Sequence, residues 1–274
     1  MSRRLALAVF LVGMAILVLP GFFAPEFLTA KDGSVQGAVG PFAAPPLGTD
    51  SFGRPLLDFF QQGSRIVAGP SLVAALIVMV LGALGGLLAC TQSSRLSTVV
   101  QVIGETLGAL PRLVVVIVVV RVLPEEWRGL MPIAVAWALL TAPGAMDEAA
   151  SVASRLGGSR FVEAMRAHGF SRRRIYLVHI LGYNLRPVLI RQAAETFAQV
   201  IFLEMALSYV SMMQTDISEL THGSQEEGWA GILYDGYSYL ALNEPTGHSL
   251  ALGLALVALV LVVVRSVVYA GRAR

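Results

Sequence analysis

Long apolar runs separated by shorter polar segments dominate the hydrophobic pattern of this 274-residue chain. A helix needs about 20 predominantly apolar residues to cross the hydrocarbon core of a bilayer, and six stretches approach that length. These are residues 5–23, 67–90, 99–122, 130–146, 187–210 and 249–269. The third contains Glu105 and Arg112 and the fourth is short, so their boundaries are the least sharply defined. The pattern predicts an all-α membrane protein with about six transmembrane helices.

Composition supports a membrane protein and argues against several soluble classes. Hydrophobic residues make up 55% of the chain and charged residues 14%, whereas a soluble globular domain carries about 25% charged residues. The net charge of +2 is too small to indicate nucleic acid as a partner. Cys90 is the only cysteine, so an intrachain disulfide is excluded.

The distribution of basic residues predicts the orientation of the chain. With six spans and a cytoplasmic N-terminus, most of the 20 arginines and lysines fall in inner segments. The outer loop 212–247 then carries acidic residues but no Lys or Arg. Positive charge accumulates on the cytoplasmic side of membrane proteins, so both termini are predicted to be cytoplasmic.

These assignments divide the chain into four parts. Residues 1–23 form the first transmembrane helix. A secretory signal peptide is the alternative, but the apolar run is longer than usual and no clear cleavage site follows it. Residues 24–66 form an extracytoplasmic segment, residues 67–269 the transmembrane core, and residues 270–274 a cytoplasmic tail. The core contains a cytoplasmic loop at 151–186 and the outer loop 212–247.

A short amphipathic helix is predicted within the first outer segment, at residues 55–60. Its apolar side chains would lie on the membrane surface; they are Leu56, Leu57, Phe59 and Phe60. The alternative is a plain linker between two spans.

Polar residues recur at helical spacing in the predicted fifth span. Gln192, Glu195 and Gln199 share one helical face and are predicted to line a water-filled path. The alternative is that they hydrogen-bond to a neighbouring helix, as polar groups in membrane bundles do. Glu204 lies about half a revolution away, so a structural contact is predicted for it.

Residues with metal or nucleotide chemistry do not form a site. The four histidines are scattered without metal-ligand spacing, so no metal is predicted. The chain has no GxxxxGK[ST] fingerprint and no assignable catalytic triad. It is therefore predicted to be a protein without enzymatic activity of its own. In the third span Pro111 is predicted to kink the helix.

The basic segment 155–186 is predicted to form two short helices that project from the membrane as a compact knob. Gly169 ends the first helix and Ser171 caps the second. The second helix, from Arg172 to about Leu181, places Ile175, Val178 and His179 on one side. The alternative is a loop whose arginines only anchor topology or contact anionic lipid.

This segment resembles the EAA loop of the permeases of ABC importers. The matching residues are Glu163-Ala164-Met165, three residues, Gly169, nine residues, and His179-Ile180-Leu181-Gly182. The family pattern is EAA, three residues, G, nine residues, I-x-L-P. Met165 therefore replaces an alanine, and Gly182 replaces the proline, so that helix termination there would depend on glycine flexibility.

Other motifs resemble the dipeptide/oligopeptide/nickel branch of the family and occur in the same order. LGTDSFGR at 47–54 with GSRI at 63–66 is similar to LGTDxxGR…GAR, and Glu105 with Pro111 is similar to D-x5-P. LEMALSYV at 203–210 is similar to EAxLSFLG, and GWAGIL at 228–233 to SWGxML. The motif residues carried over are Asp50, Gly53, Arg54, Arg65, Glu105, Pro111, Glu204 and Trp229.

The resemblance implies a type I importer permease with six spans in a bacterial inner membrane. It implies four partners: a homologous second permease, two cytoplasmic ATPases and an extracytoplasmic solute-binding protein. ATP and Mg would be bound by the ATPases and no cofactor by this chain. The implied ATPase-coupling residues are Glu163, Ala164, Met165, Gly169, Arg172, Arg173, Arg174 and Leu181.

The solute is left open by these motifs. A peptide is the commonest cargo of the branch, and nickel, a metal–chelator complex, an opine and an antimicrobial peptide are alternatives. A different class of function, an ATP-independent channel or carrier, would need neither ATPases nor the coupling loop. A membrane scaffold that only anchors a cytoplasmic protein is a further alternative. It would keep its function with leucine at Glu195 and Gln199.

Overall fold

A computed structural model describes residues 2–25, 39–42, 46–50, 53–90, 102, 104, 106, 108–124, 127, 129–157, 160–213, 228–241 and 247–272. Every regular element in this described part of the chain is helical, which confirms the all-α prediction. The helices are α1 (Arg3–Val18), α2 (Leu56–Cys90), α3 (Arg112–Val122), α4 (Leu130–Gly157), α5 (Arg160–Ala167), α6 (Arg172–Arg174), α7 (Arg186–Met213), α8 (Trp229–Ala241) and α9 (Gly247–Arg272). A 3-10 turn, Leu19–Phe23, extends α1, and a π-helix, Ile175–Leu185, joins α6 to α7.

Four of the six predicted spans are long and apolar enough to cross a bilayer by length and composition. They are Arg3–Phe23, Leu56–Ala89, Leu130–Arg155 and Gly247–Gly271. The third predicted span is represented by α3, whose 11 residues extend only about 16 Å at 1.5 Å per residue. The fifth is represented by α7, which has 28 residues and contains Arg191, Glu195 and Glu204. The count of six therefore stays a prediction.

The predicted surface helix at 55–60 is wrong as a separate element. Residues from Leu56 onward form the first turns of α2, which continues for 35 residues through Pro70. Leu56 and Phe59 are buried inside the protein, at 1% and 2% exposure. Their apolar side chains are therefore covered by other helices of the chain instead of lying on a lipid surface.

Glycines allow the long helices to approach closely. A Cβ placed on Gly85 of α2 would lie 2.6 Å from the Cβ of Met146 in α4, and one on Gly86 would lie 3.2 Å from the Cβ of Ala149. The α2–α4 contact is the most extensive between helices of the chain. Small residues at interfaces let membrane helices pack through van der Waals contact, so this pair forms a rigid centre for the fold.

Two of the apolar clusters in the described part of the chain bear on the site and its support. One gathers α1, α2, α7, α8 and α9 around Trp229, Ile201 and Val260. The other joins α4, α5, the π-helix and α7; its buried members are Ala149, Ala153, Val162, Ile175, Ile180, Leu185 and Leu189. The basic loop packs against the second cluster through Val162, Met165 and Phe170.

Several predicted features lie outside the described residues. They include Glu105, the middle of the outer loop at 214–227, and residues 26–38 of the first outer segment. The domain boundaries drawn from the sequence stay predictions.

Candidate functional site

The basic loop begins with α5 and turns sharply at Gly169. Gly169 has φ of 81°, a left-handed conformation that glycine adopts without the steric cost of a Cβ. Its N–H donates to the carbonyl of Arg166 at 2.9 Å, and the N–H of Phe170 donates to that of Met165 at 3.1 Å. These two bonds form a Schellman motif. Met165 and Phe170 also pack against the same apolar cluster, so the predicted helix stop at Gly169 is confirmed.

The next helix begins at the predicted cap. The N–H of Arg174 donates to the Ser171 hydroxyl at 3.4 Å, and the N–H of Ile175 donates to the Ser171 carbonyl at 3.1 Å. This side-chain bond satisfies one of the donors left free at a helix N-terminus. The cap at Ser171 is therefore confirmed.

The second helix begins at Arg172 as predicted, but its predicted end near Leu181 is wrong. α6 passes into the π-helix and then into α7, so one helical segment runs from Arg172 to Met213. Ile175, Ile180 and Leu185 are the buried residues of the π-helix, and Val178 is exposed. Gly182 lies within the π-helix and does not end it. The loop is thus one short helix followed by the start of a long one.

The loop residues implied by the family resemblance divide by exposure. Glu163, Ala164, Gly169, Arg173 and Arg174 are exposed. Met165 and Leu181 are partly buried against the apolar cluster beneath the loop, which leaves less of their surface for a partner. The backbone of Arg172 lies in α6. The exposed set forms the outer surface of the loop.

Aromatic contacts connect the turn to the π-helix. The Arg174 guanidinium lies 5.0 Å from the centre of the Phe170 ring. Phe170 meets His179 edge to face at 5.7 Å, and His179 stacks on Tyr183 at 6.0 Å. The turn is therefore attached to the long helical segment through side chains as well as through the backbone.

The polar face predicted on the fifth span contacts α4. The side-chain amide of Gln192 donates to Glu148, and the indole N–H of Trp137 donates to Gln199 at 3.0 Å. Glu195 lies 3.4 Å from the Arg191 guanidinium, on the same helix. Bonds to a neighbouring helix are what the alternative interpretation of this face predicted. Gln192, Glu195 and Gln199 also stay partly exposed, so lining of a path remains a prediction.

Glu148 was missed by the sequence analysis. The predicted fourth span ended at residue 146, which placed Glu148 in the cytoplasmic segment, whereas α4 continues to Gly157. Residues 147–156 contain neither proline nor glycine, and glycine first appears at Gly157, where the helix ends. That absence of a helix breaker was the signal that α4 continues.

The described residues of the outer motif, 47–50 and 53–54, lead into α2. The Arg54 guanidinium pairs with the buried Asp50 carboxylate at 2.7 Å, and the N–H of Arg54 donates to the same carboxylate at 2.7 Å. Gly53 has φ of 76°, which permits the reversal between them. His248 of α9 also bonds to the Thr49 carbonyl at 2.8 Å. The motif residues Asp50, Gly53 and Arg54 therefore stabilise the start of α2.

Two further motifs meet at Trp229. Its side chain is fully buried, its indole N–H donates to the Phe60 carbonyl at 3.0 Å, and its ring stacks on Phe60 at 6.1 Å. The ring lies directly over Gly63 of α2, where a Cβ would collide with it. The segments 63–66 and 228–233, distant in sequence, thus form one packed joint.

The remaining motif residues are more dispersed. Pro111 lies between a bend at Leu110 and the start of α3. The helical structure is therefore interrupted at Pro111, which is a sharper change than the predicted kink. Arg65 is exposed, and its backbone packs against Gly21. Glu204 is buried at 3% exposure on α7, consistent with the predicted structural contact.

The loop and the polar face lie inside a recognised family region. Residues 82–273 match the family described as "Binding-protein-dependent transport system inner membrane component". The chain belongs to this family. The predicted resemblance is therefore confirmed, and the chain is a membrane component of a transport system of the binding-protein-dependent type. The family is one of transport components and not of enzymes.

Two curated relatives cover most of the chain. It is 27% identical over 218 residues to the "Oligopeptide transport system permease protein OppC" of Bacillus subtilis (strain 168), covering 77% of this chain and 68% of the relative. It is 26% identical over 215 residues to the "Di/tripeptide transport system permease protein DppC" of Pseudomonas aeruginosa (strain UCBPP-PA14), covering 74% and 68%. This similarity agrees with the branch that the motifs indicated.

Proposed function

We propose that this chain is the permease subunit of an ATP-driven, binding-protein-dependent importer and forms half of its translocation path. The observation that carries the proposal is the exposed α5 turn, closed by Gly169, on a chain with apolar helices long enough to span a membrane. A helix of eight residues held out from the bundle by a Schellman turn suits insertion into a groove of a cytoplasmic ATPase.

The proposed partners follow from the absence of any nucleotide fingerprint in the sequence. ATP and Mg bind to two separate ATPases, a homologous permease completes the path, and an extracytoplasmic protein delivers the solute. The termini are cytoplasmic, so the basic loop faces the ATPases. Because α6, the π-helix and α7 form one helical segment, displacement at the loop reaches the polar face of α7 through packed contacts.

The solute proposed is a short peptide. Both relatives are named as peptide permeases, and the polar face offers both hydrogen-bonding groups and charge. An importer of nickel, a metal chelate or an opine would have the same architecture. Reconstitution with the ATPases and the solute-binding protein tests this: peptide uptake that requires ATP and the binding protein supports the proposal. Uptake by this chain without ATPases would instead indicate a channel or carrier.

Glu163→Lys is expected to weaken ATPase binding. Glu163 is exposed in the first turn of α5, where a carboxylate interacts favourably with the helix N-terminus, typically by about 0.3–1 kcal/mol. Lysine reverses this interaction and the charge presented to the partner. Co-purification of the ATPases with the tagged permease measures the effect, and Glu163→Asp, which keeps the charge, is the matched control. Equal recovery of the ATPases with Glu163→Lys would contradict the assignment.

Glu195→Leu is expected to lower uptake severalfold while the ATPases remain bound. Glu195 is partly exposed on the polar face and lies beside Arg191, so leucine removes charge from the proposed path without touching the loop. Ala193→Leu, which places the same side chain on a different side of α7, is the control. Normal uptake by Glu195→Leu would mean that this face serves packing alone.

A further inference from the structure

We propose that Glu148 and Arg191 form a basal pair that locks α4 to α7 beneath the coupling loop and makes the two helices move together. The inference rests on the proposed function, because it assigns these residues a positioning role in transmitting motion from the loop. Neither residue belongs to the exposed loop surface, and neither was selected by the family motifs.

The pair is made by one carboxylate oxygen with two consecutive residues of α7. Oε2 of Glu148 accepts from Nη2 of Arg191 and also from Nε2 of Gln192. A charged hydrogen bond is stronger than a neutral one and restricts geometry. Because both donors reach the same oxygen, sliding or rotation of α7 against α4 breaks both bonds at once.

The two residues of the pair lie on either side of the coupling loop in the sequence. Glu148 and Arg191 are separated by 43 residues, and the coupling loop lies between them. α5, the Gly169 turn, α6 and the π-helix all lie within this interval. The coupling loop is joined to the rest of the protein by α4 at one end and by α7 at the other. The ion pair therefore connects these two helices.

Apolar contacts surround the pair on the loop side. Ala149, next to Glu148, and Leu189, two residues before Arg191, are both buried in the cluster beneath the loop. Apolar contacts are non-directional and leave the register of two helices weakly specified. Charge-assisted hydrogen bonds are directional and add geometric specificity. The cluster thus holds the helices together and the pair sets their relative position.

Arg191 also has a second acceptor on its own helix. Its Nη1 lies 3.4 Å from Oε1 of Glu195, one turn further along α7. If α4 and α7 separate, Arg191 keeps this partner, whereas the Glu148 carboxylate loses both of its α7 donors. The Glu148 side chain is 32% exposed, so water can replace these donors. Under the proposal, the pair is closed in this structure, and Arg191 stays paired with Glu195 when the pair opens.

The test is the ratio of solute taken up to ATP hydrolysed by the complete complex in proteoliposomes. Glu148→Gln removes the charge of the shared acceptor and leaves Arg191 with Glu195. We expect uptake per ATP to fall about tenfold, within the range over which coupled sites influence each other, while the ATPases stay bound. Arg191→Lys keeps the positive charge but cannot bridge both carboxylates, and an intermediate ratio is expected. Ser154→Ala, on the exposed surface of α4, is the control.

The outcomes separate this inference from the proposed function. If the wild-type complex shows no ATP-dependent uptake, the proposed function fails. If the wild type couples normally and Glu148→Gln has an unchanged ratio, the basal pair is overturned. A variant that lowers uptake and hydrolysis in equal proportion, with less complex recovered, indicates a structural role and also overturns it. If Glu148→Gln does not assemble, the Arg191→Lys ratio decides: an unchanged ratio rejects the proposal.

Discussion

Replacing Gly169 by proline is expected to abolish solute uptake while the permease still inserts in the membrane. The ring of proline restricts φ to about −65°, whereas Gly169 has φ of 81°. Proline also lacks the N–H that donates to the Arg166 carbonyl. The turn between α5 and α6 cannot form, and α5 loses its orientation toward the proposed ATPase partner. Uptake into vesicles and ATP hydrolysis, measured on the same preparation, report the loss of coupling.

Two other substitutions at Gly169 make the result specific to backbone conformation. No atom lies within 4 Å of the Cβ position, so a side chain meets no steric obstacle there. Asparagine tolerates left-handed φ better than other non-glycine residues, and Gly169→Asn should keep most of the uptake. Gly169→Ala adds a cost of about 1–2 kcal/mol in this conformation and should fall between them. Full uptake by Gly169→Pro would remove the coupling role from the turn.

Trp229→Ala is expected to destabilise the protein by about 3–5 kcal/mol, the usual cost of removing a large aromatic from a core. The side chain is fully buried, and its loss leaves a cavity between α2, α8 and α9. It also removes one of the donors to the Phe60 carbonyl, which still accepts from the Ser64 hydroxyl. The effect is measured by thermal unfolding in detergent, with loss of the monodisperse species as the readout. An unchanged unfolding temperature would show that this joint does not contribute to stability.

Gly63 provides an independent check on the same joint. A Cβ at Gly63 would overlap the Trp229 ring, so Gly63→Val should also be destabilising. In the double variant with Trp229→Ala the valine has space. The double variant should therefore lose less stability than the sum of the losses of the two single variants. Residues in contact deviate from additivity by about 0.5–3 kcal/mol. Additive losses would mean that the two sites do not interact.

The local turn of the coupling loop could be predicted from the sequence because its determinants are adjacent residues. Gly169 supplies positive φ, and Ser171 supplies a capping hydroxyl. Both act within a few positions of the backbone that they stabilise. The π-helix could not be predicted in this way. Residues 175–185 suit an α-helix as well, and the five-residue spacing of Ile175, Ile180 and Leu185 depends on which side chains the neighbouring helices bury.

The length of α2 escaped prediction for a related reason. Hydropathy separates residues 55–60 from the span that begins at 67, and it does not show whether the backbone bends between them. In the structure one helix runs from Leu56 through Gly69 and Pro70. Packing of Phe60 and Gly63 against Trp229, 169 residues from Phe60, accounts for this. Only the folded chain brings these residues together.

The polar face of α7 shows where sequence information ends. Helical spacing placed Gln192, Glu195 and Gln199 together, and the contacts to α4 agree with a shared orientation. Their partners, Trp137 and Glu148, could not be identified from spacing because they belong to another helix. The pairing depends on how α4 and α7 pack, and that is a tertiary property.

The continuity of α2 has a practical consequence for imaging the assembled transporter. Leu56 precedes the predicted start of the span by 11 residues, which is about 16 Å of helix, and the Asp50–Arg54 turn lies at its tip. Under the proposed orientation, these first turns of α2 lie above the outer leaflet and are held there by Trp229 of α8. An antibody fragment raised against the turn at their tip would serve as a rigid fiducial for electron cryomicroscopy, because this turn is also anchored to α9 through His248.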